Sequence, residues 1–193
     1  MFIARSRDDI ASYLGTFEGA LIAQRFVRGD EFGVFVARHP GDIRTRVLSV
    51  VHKTFPTVTG DGTSTLRELI VKDARARLIS SLLFERWAAR LADVPALGEM
   101  VTRVEIRAHG RGSLFLDGSE RLTDALVTKL TQLIDAVPGY AFGRIDLRVR
   151  SIADFRQGKG LQVLELNGVS AESAHIYHPG TPLPDGYRAM FRQ

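Results

Sequence analysis

Apolar residues recur along this chain in two rhythms. Alternation by two marks strands with one wet face, and recurrence at three to four marks helices with one buried stripe. Alternation is sharpest over residues 140–150 and 161–167. In the first stretch Ile145, Leu147 and Val149 point one way, and Arg144, Asp146, Arg148 and Arg150 the other. In the second, Glu165 and Asn167 share a face with Val163, while Leu164 and Leu166 turn away. The segment between ends in Gly158-Lys159-Gly160, which is turn chemistry, so a hairpin-like pairing of the two strands is the simplest reading. Further strands are predicted over 20–27, 31–37, 43–53, 101–109 and 114–116. The first two of these form a hairpin through Arg28-Gly29-Asp30, with Gly29 at positive φ, and the third follows the turn at Pro40-Gly41. Helical recurrence predicts a short helix over 7–15, with Ile10, Tyr13 and Leu14 on one side and Gly15 as its stop. A second helix, capped by Ser64 or Thr65, carries Leu66, Leu69 and Ile70. A third covers 74–92 with Leu78, Leu82, Leu83, Trp87 and Leu91 in its stripe, Trp87 being read as core. Residues 95–100 read as a linker. The last helix covers 119–137, stacks Leu122, Leu126, Leu130, Leu133, Ile134 and Val137, and ends at Pro138-Gly139.

Composition narrows what these elements serve. A chain of 193 residues that is 45% hydrophobic buries a real core, as one domain or two intimate lobes. It has no apolar run long enough to span a bilayer and no hydrophobic leader, so the expectation is a cytoplasmic protein. The absence of cysteine excludes a disulfide framework, a thiol nucleophile and a thiolate metal site. A net charge of +4 favours an anionic partner: nucleotide, acidic peptide or nucleic acid. The basic residues are nearly all Arg, with Lys only at 53, 72, 129 and 159. They are scattered among acids, which weighs against a nucleic-acid arm.

Chemistry concentrates where the two alternating strands meet. Pairing them sets Asp146, Glu165 and Asn167 side by side. Three hard oxygen donors without His or Cys suit Mg²⁺ or Mn²⁺ and argue against zinc. The flanking arginines then serve as anion clamps, since a guanidinium offers a planar fork to carboxylate or phosphate. The plainer alternative is an exposed sheet face whose acids and arginines pair across strands. Gly60-Asp61-Gly62 forms a tight loop ahead of a helix, either an anion seat or simply a turn with a cap; it lacks the Gly-Lys-Ser/Thr of a Walker loop. His109 and Arg111 form a polar loop that lines an acceptor pocket or is plain surface. His52 is read as facing outward with no role, and His175 and His178 are not read as a metal pair.

Gly143-Arg144-Ile145-Asp146 followed by Leu164-Glu165-Leu166-Asn167-Gly168 resembles the metal-binding end of the ATP-grasp superfamily, which includes D-alanine–D-alanine ligase, cyanophycin synthetase and the ribosomal-protein glutamate ligases. The resemblance implies that Asp146, Glu165 and Asn167 hold Mg²⁺ (or Mn²⁺) bridging ATP phosphates, and that Arg144 helps hold the reacting anion. Residues 20–37 are similar to the superfamily's adenine-binding strand pair. Gln24, Phe26, Val27 and Glu31 stand at its nucleotide-binding positions, and Gln24 replaces a common acid. The run from Val58 to Ile70 is similar to one in cyanophycin synthetase and related peptide ligases, and Lys53 ahead of it is implied to approach the ATP phosphates. The segment after Asn167 lacks the Pro-Gly loop of dipeptide-forming members, which departs from D-alanine as substrate.

The implied fold is α+β, the C-terminal lobe of an ATP-grasp enzyme with a mainly antiparallel sheet and packed helices. The implied activity is Mg²⁺-dependent, ATP-driven joining of a carboxylate to an amine through an acyl phosphate, with an amino acid or peptide as substrate. Neither nucleic acid nor membrane is expected as a partner, and a homodimer is left open. The superfamily's N-terminal domain and its phosphate-covering Gly-rich hairpin have no counterpart in the sequence, so the chain reads as one lobe, a C-terminal fragment that alone turns over little. Two other classes stay open: a non-catalytic Mg-nucleotide-binding or regulatory module on the same fold, and a basic nucleic-acid-binding domain whose affinity falls steeply with salt.

Overall fold

The computed structural model describes residues 2–54, 57–101 and 113–191. Its centre is the second strand of the expected 20–37 hairpin. Asp30–Ala37 (β1) lies between Arg46–Thr54 (β2) and Phe142–Val149 (β6). Leu114–Asp117 (β5) adds to the outside of β2, and Gln162–Asn167 (β7) to the outside of β6. Every pairing in this five-stranded sheet is antiparallel. Phe32-Gly33-Val34-Phe35-Val36-Ala37 is apolar on both faces, as a strand covered on both faces requires, and these six residues and Glu31 are buried. The α+β class with a mainly antiparallel sheet is thus the observed architecture.

Both edges of β1 are occupied, so the expected hairpin partner over residues 20–27 has no ladder to join. That segment is not a strand; it runs as coil towards Gly29, whose φ of +131° is the expected positive value. A Cβ at Gly29 would lie 2.0 Å from the Val149 carbonyl oxygen, so close backbone approach also requires glycine there.

The helices supply the opposite side of the core. Asp124–Asp135 (α4), capped by Thr123, whose hydroxyl accepts from the Leu126 amide, starts five residues later than expected. Leu126, Leu130 and Ile134 pack onto Phe32, Val34, Val36, Ile145, Leu147 and Val149, whereas Leu122 falls outside the helix. Each fully buried side chain of this kind contributes roughly 1.5–3 kcal/mol. The predicted β6–β7 pairing is present, but the link between the strands is more than a turn. It contains Ile152–Arg156 (α5), capped by Ser151, and Phe155 from this helix stacks on Phe32 at a centroid distance of 3.8 Å. His52 also points into this layer, stacked on Phe32 at 4.6 Å with Nε2 3.5 Å from Asp30, so it does not face outward.

Residues 57–101 build a second, smaller cluster. Val58–Thr59 (β3) pairs with Met100–Val101 (β4), and Leu66–Lys72 (α2) and Ser80–Arg86 (α3) pack around Val58, Leu66, Leu69, Ile70, Ala76, Leu83 and Val101. The single long helix expected over 74–92 is instead a 3₁₀ turn, α3 and a second 3₁₀ turn. Leu83 is buried and Trp87 packs against the cluster as expected, but Leu78 is 80% exposed, because the break rotates the stripe out of phase. The Gly60-Asp61-Gly62 loop is saturated. Asp61 accepts from the Thr63 and Ser64 amides, Glu68 takes Thr65 N–H in a full capping box, and Leu66 and Arg67 donate to the Asp93 and Leu91 carbonyls. These amides are engaged, so the loop is a turn with a cap rather than an anion seat. The same hydrogen bonds hold the Asp61 carboxyl well below its ordinary pKa.

Arg7–Thr16 (α1), opened by a Ser6–Asp9 capping box, matches the expected helix but buries none of its residues. Leu183–Phe191 (α6) closes the described chain. Among the described residues no helix is long and apolar enough to cross a membrane. The predicted 101–109 strand beyond Val101, and the loop with His109 and Arg111, lie outside the described residues.

Candidate functional site

Strand alternation places Phe32, Val34, Val36, Ile145, Leu147 and Val149 against the helices, so the alternate residues of the same strands share the other face. There Glu31 stands opposite Lys53 on one side and Arg148 on the other, and Gly33 stands opposite Asp146. Asp146 in turn faces Glu165, and Arg144 faces Asn167. Four charged residues on this face are almost fully buried: Glu31, Lys53, Asp146 and Arg148. Burial of charge is costly unless it is paired, and here pairing is continuous.

Arg148 donates to Glu31 Oε2 from Nε at 2.9 Å and from Nη2 at 2.8 Å. Lys53 Nζ bridges the two acids, 3.3 Å from Glu31 Oε1 and 3.0 Å from Asp146 Oδ1. Arg144 Nε donates to the same Asp146 Oδ1 at 3.1 Å, and Asn167 Nδ2 lies 3.4 Å from Asp146 Oδ2. Gly33 makes this convergence sterically feasible, since a Cβ there would meet Asp146 Oδ1 at 3.1 Å and Arg144 Cδ at 3.2 Å.

The backbone of Asn167 is positioned from the start of β6. Gly143 has φ +143°, and a Cβ on it would sit 1.9 Å from the Asn167 carbonyl oxygen. Tyr140 donates its phenol to that same oxygen at 3.0 Å. Burial, reinforced by the Asp146 charge and opposed by Arg144, pushes the Tyr140 phenol up to about 12. A bulge between Asp146 and Leu147 then shifts the register, so that Val163 faces Leu147 and Gln162 faces Arg148. Gln162, not Val163, therefore joins the polar face, where Arg25 reaches it at 3.4 Å. Arg150, expected on this face, lies beyond the strand and pairs with Asp154 on the surface.

The expected nucleotide-binding residues are only partly assembled. The Val27 carbonyl accepts from Arg148 Nη1, and the Phe26 ring lies 5.3 Å from the Arg148 guanidinium carbon, so both close over one end of the network. Glu31 belongs to the network itself, whereas Gln24 is exposed in the preceding coil. At the other end the chain after Asn167 folds back. The Glu172 carbonyl accepts from Arg144 at 3.4 Å, Ser173 and Ser49 pair their hydroxyls at 3.3 Å, and Ala174 packs on Val51 and Phe115. His178 Nδ1 accepts from the Asp117 amide at 3.0 Å; burial lowers the His175 pKa, against the pull of Asp117. The His178 imidazole thus serves hydrogen bonding beside the face.

Gly33, the Tyr140–Gly143 support of Asn167 and the Glu31 partner of Arg148 carry no motif in the sequence. A glycine inside an otherwise apolar strand is the signal that was available for Gly33.

Among the described residues no group of three or more His, Cys, Asp or Glu is arranged to hold a metal ion. Asp146 and Glu165, directly opposite each other, with the Asn167 amide on Asp146, instead form a set of two carboxylates and one amide. That composition fits a hard divalent cation such as Mg²⁺, which takes one or two carboxylates and completes its shell with water or phosphate. A half-turn of the Asn167 side-chain amide would present its oxygen to such a cation.

No family model and no curated protein matches the chain. Among solved structures it is similar to a bifunctional glutathione synthetase from Pasteurella multocida, with 17% sequence identity and a TM-score of 0.47. The match covers 85% of this chain and spans 24% of the length of that protein.

Proposed function

We propose that this chain is the nucleotide- and metal-binding lobe of an ATP-dependent carboxylate–amine ligase. The observation that carries the reading is the register of β6 and β7. It sets Asp146 opposite Glu165 and brings Asn167 to Asp146, on the face that also holds Lys53 and Arg144. The motif resemblance at residues 143–146 and 164–168 supports it from the sequence side.

Asp146, Glu165 and Asn167 would hold Mg²⁺ (or Mn²⁺). The bound cation supplies positive charge to the phosphates of ATP, lowering the repulsion a second anion meets. Lys53 offers an ammonium to the phosphates, and Arg144 orients the reacting carboxylate with its guanidinium fork. Phe26, Val27 and Glu31 would form the base and ribose end, and the exposed Gln24 would join them only by moving in from the coil. In the overall reaction a carboxylate oxygen attacks the γ-phosphorus of ATP and ADP departs, leaving an acyl phosphate. An amine nitrogen then attacks the acyl carbon, the C–N bond forms, inorganic phosphate leaves and the amine gives up one proton. Fixed cations on a face that excludes most water stabilise the charge that gathers during both steps. The substrates this reading implies are an amino acid or peptide carboxylate and a small amine.

The test is ADP release by a protein containing this lobe, assayed with Mg²⁺-ATP against a panel of carboxylates and amines. One pair should stimulate release, and Asp146→Asn should lower the rate about 100-fold or more with the fold intact. Turnover by Asp146→Asn equal to the unaltered protein would remove the assignment. Mg²⁺-ATP binding without ADP release for any pair would instead indicate a regulatory nucleotide module.

A further inference from the structure

A buried ammonium already stands beside the position this reading gives to a divalent cation. Lys53 Nζ lies 3.0 Å from Asp146 Oδ1 and 3.3 Å from Glu31 Oε1, with its side chain only 10% exposed. Arg144 Nε takes the same Asp146 oxygen at 3.1 Å. Arg148 takes the second oxygen of Glu31, so a Lys53 displaced from Asp146 would keep only Glu31 Oε1, one carboxylate oxygen where it now has two. A divalent cation sits about 2.0–2.6 Å from its carboxylate oxygens. Bound to Asp146, it would bring its charge within a few ångströms of Nζ on a face where water screens poorly. The ammonium and the metal therefore compete for one carboxylate unless an anion comes between them. A triphosphate is such an anion: it offers Lys53 new oxygens and the cation further ligands.

We propose that Lys53 is the resident counter-ion of Asp146, so that this lobe binds a divalent cation only together with a polyphosphate. The inference rests on the metal assignment above and adds a binding order to it: the cation arrives as its nucleotide complex, not alone. Lys53 acts here as a positioning residue, holding Asp146 and Glu31 in place until the phosphates displace it.

Mn²⁺ alone, followed by electron paramagnetic resonance of the free ion, reads the competition directly without turnover. The full chain should bind free Mn²⁺ at least about tenfold more weakly than it binds the preformed Mn²⁺–ATP complex, and Lys53→Met or Lys53→Gln should tighten free Mn²⁺ binding by about tenfold. The glutamine variant still donates to both carboxylates and guards against loss of fold. Lys53→Arg, which keeps the charge, should show no gain. Equal affinities for Mn²⁺ and Mn²⁺–ATP in the unaltered chain, or no tightening in a folded Lys53→Gln variant, overturn the proposal. If Mn²⁺ bound to the Lys53→Gln variant is lost on adding Asp146→Asn, the metal site stands whichever way the competition falls. If it is retained, the metal assignment itself fails.

Discussion

Glu31→Gln removes one charge from the middle of the buried network while keeping the side chain's shape. In the unaltered protein Glu31 Oε2 receives two guanidinium donors from Arg148 at 2.8 and 2.9 Å, and Lys53 lies 3.3 Å from Oε1. With an effective dielectric of about 20, the Arg148 and Lys53 attractions are about 6 and 5 kcal/mol respectively. Desolvation of three ions and the mutual repulsion of the two cations offset most of this, so the pairing is close to neutral relative to an apolar core. Removing one partner is not neutral. Lys53 still has Asp146, but Arg148, only 9% exposed at its side chain, loses the negative charge that two of its donors meet. The cost of such an uncompensated buried charge is about 3–5 kcal/mol. For a chain of this length each kcal/mol shifts Tm by about 2–4 °C, so Glu31→Gln should melt roughly 10 °C lower by circular dichroism. The double variant Glu31→Leu with Arg148→Met, which exchanges the pair for apolar side chains, should recover most of that loss. A Glu31→Gln Tm within about 2 °C of the unaltered protein would refute the claim that this ion pair carries a buried, uncompensable charge.

Three other perturbations probe the same framework. Phe155→Ala removes the ring stacked on Phe32 at 3.8 Å and should cost about 4 kcal/mol in urea-monitored unfolding, with Asp146-dependent Mn²⁺–ATP binding kept in the folded population. Gly143→Ala places a methyl 1.9 Å from the Asn167 carbonyl oxygen; it should separate β7 from β6 and abolish Mn²⁺–ATP binding, which equilibrium dialysis would detect. Tyr140 keeps its proton to about 12 when folded, above the ordinary value of 10.0, so the folded state binds a proton that the unfolded state has lost in this window. Its contribution to stability is present below pH 10 and declines as pH rises towards 12; Tyr140→Phe should flatten that decline in denaturation curves taken across the interval.

The alternation of Arg144, Asp146 and Arg148 against Ile145, Leu147 and Val149 was enough to separate the polar face of β6 from its core face, because side-chain direction in a strand follows directly from sequence parity. The caps of α2 and the positive φ of Gly29 were equally legible, since both depend on neighbours within a few residues. The hairpin over 20–37 was misread because local pattern shows that a segment is extended without showing whether its partner's edges are free; β2 and β6 claim both edges of β1 from distant parts of the chain. The 74–92 helix failed for a related reason: Leu78, Leu83 and Trp87 keep helical spacing in sequence, but packing around Val58 and Val101 rewards only part of that stripe. Sequence alone determined the polar and apolar faces of β6 and that Asp146, Glu165 and Asn167 belong to two adjacent strands. Only the tertiary structure decided that Glu31, Lys53 and Arg148 join them as one buried chain of charges, because that proximity comes from pairing β1 with β2 and β6 across long sequence separations, which no local propensity encodes.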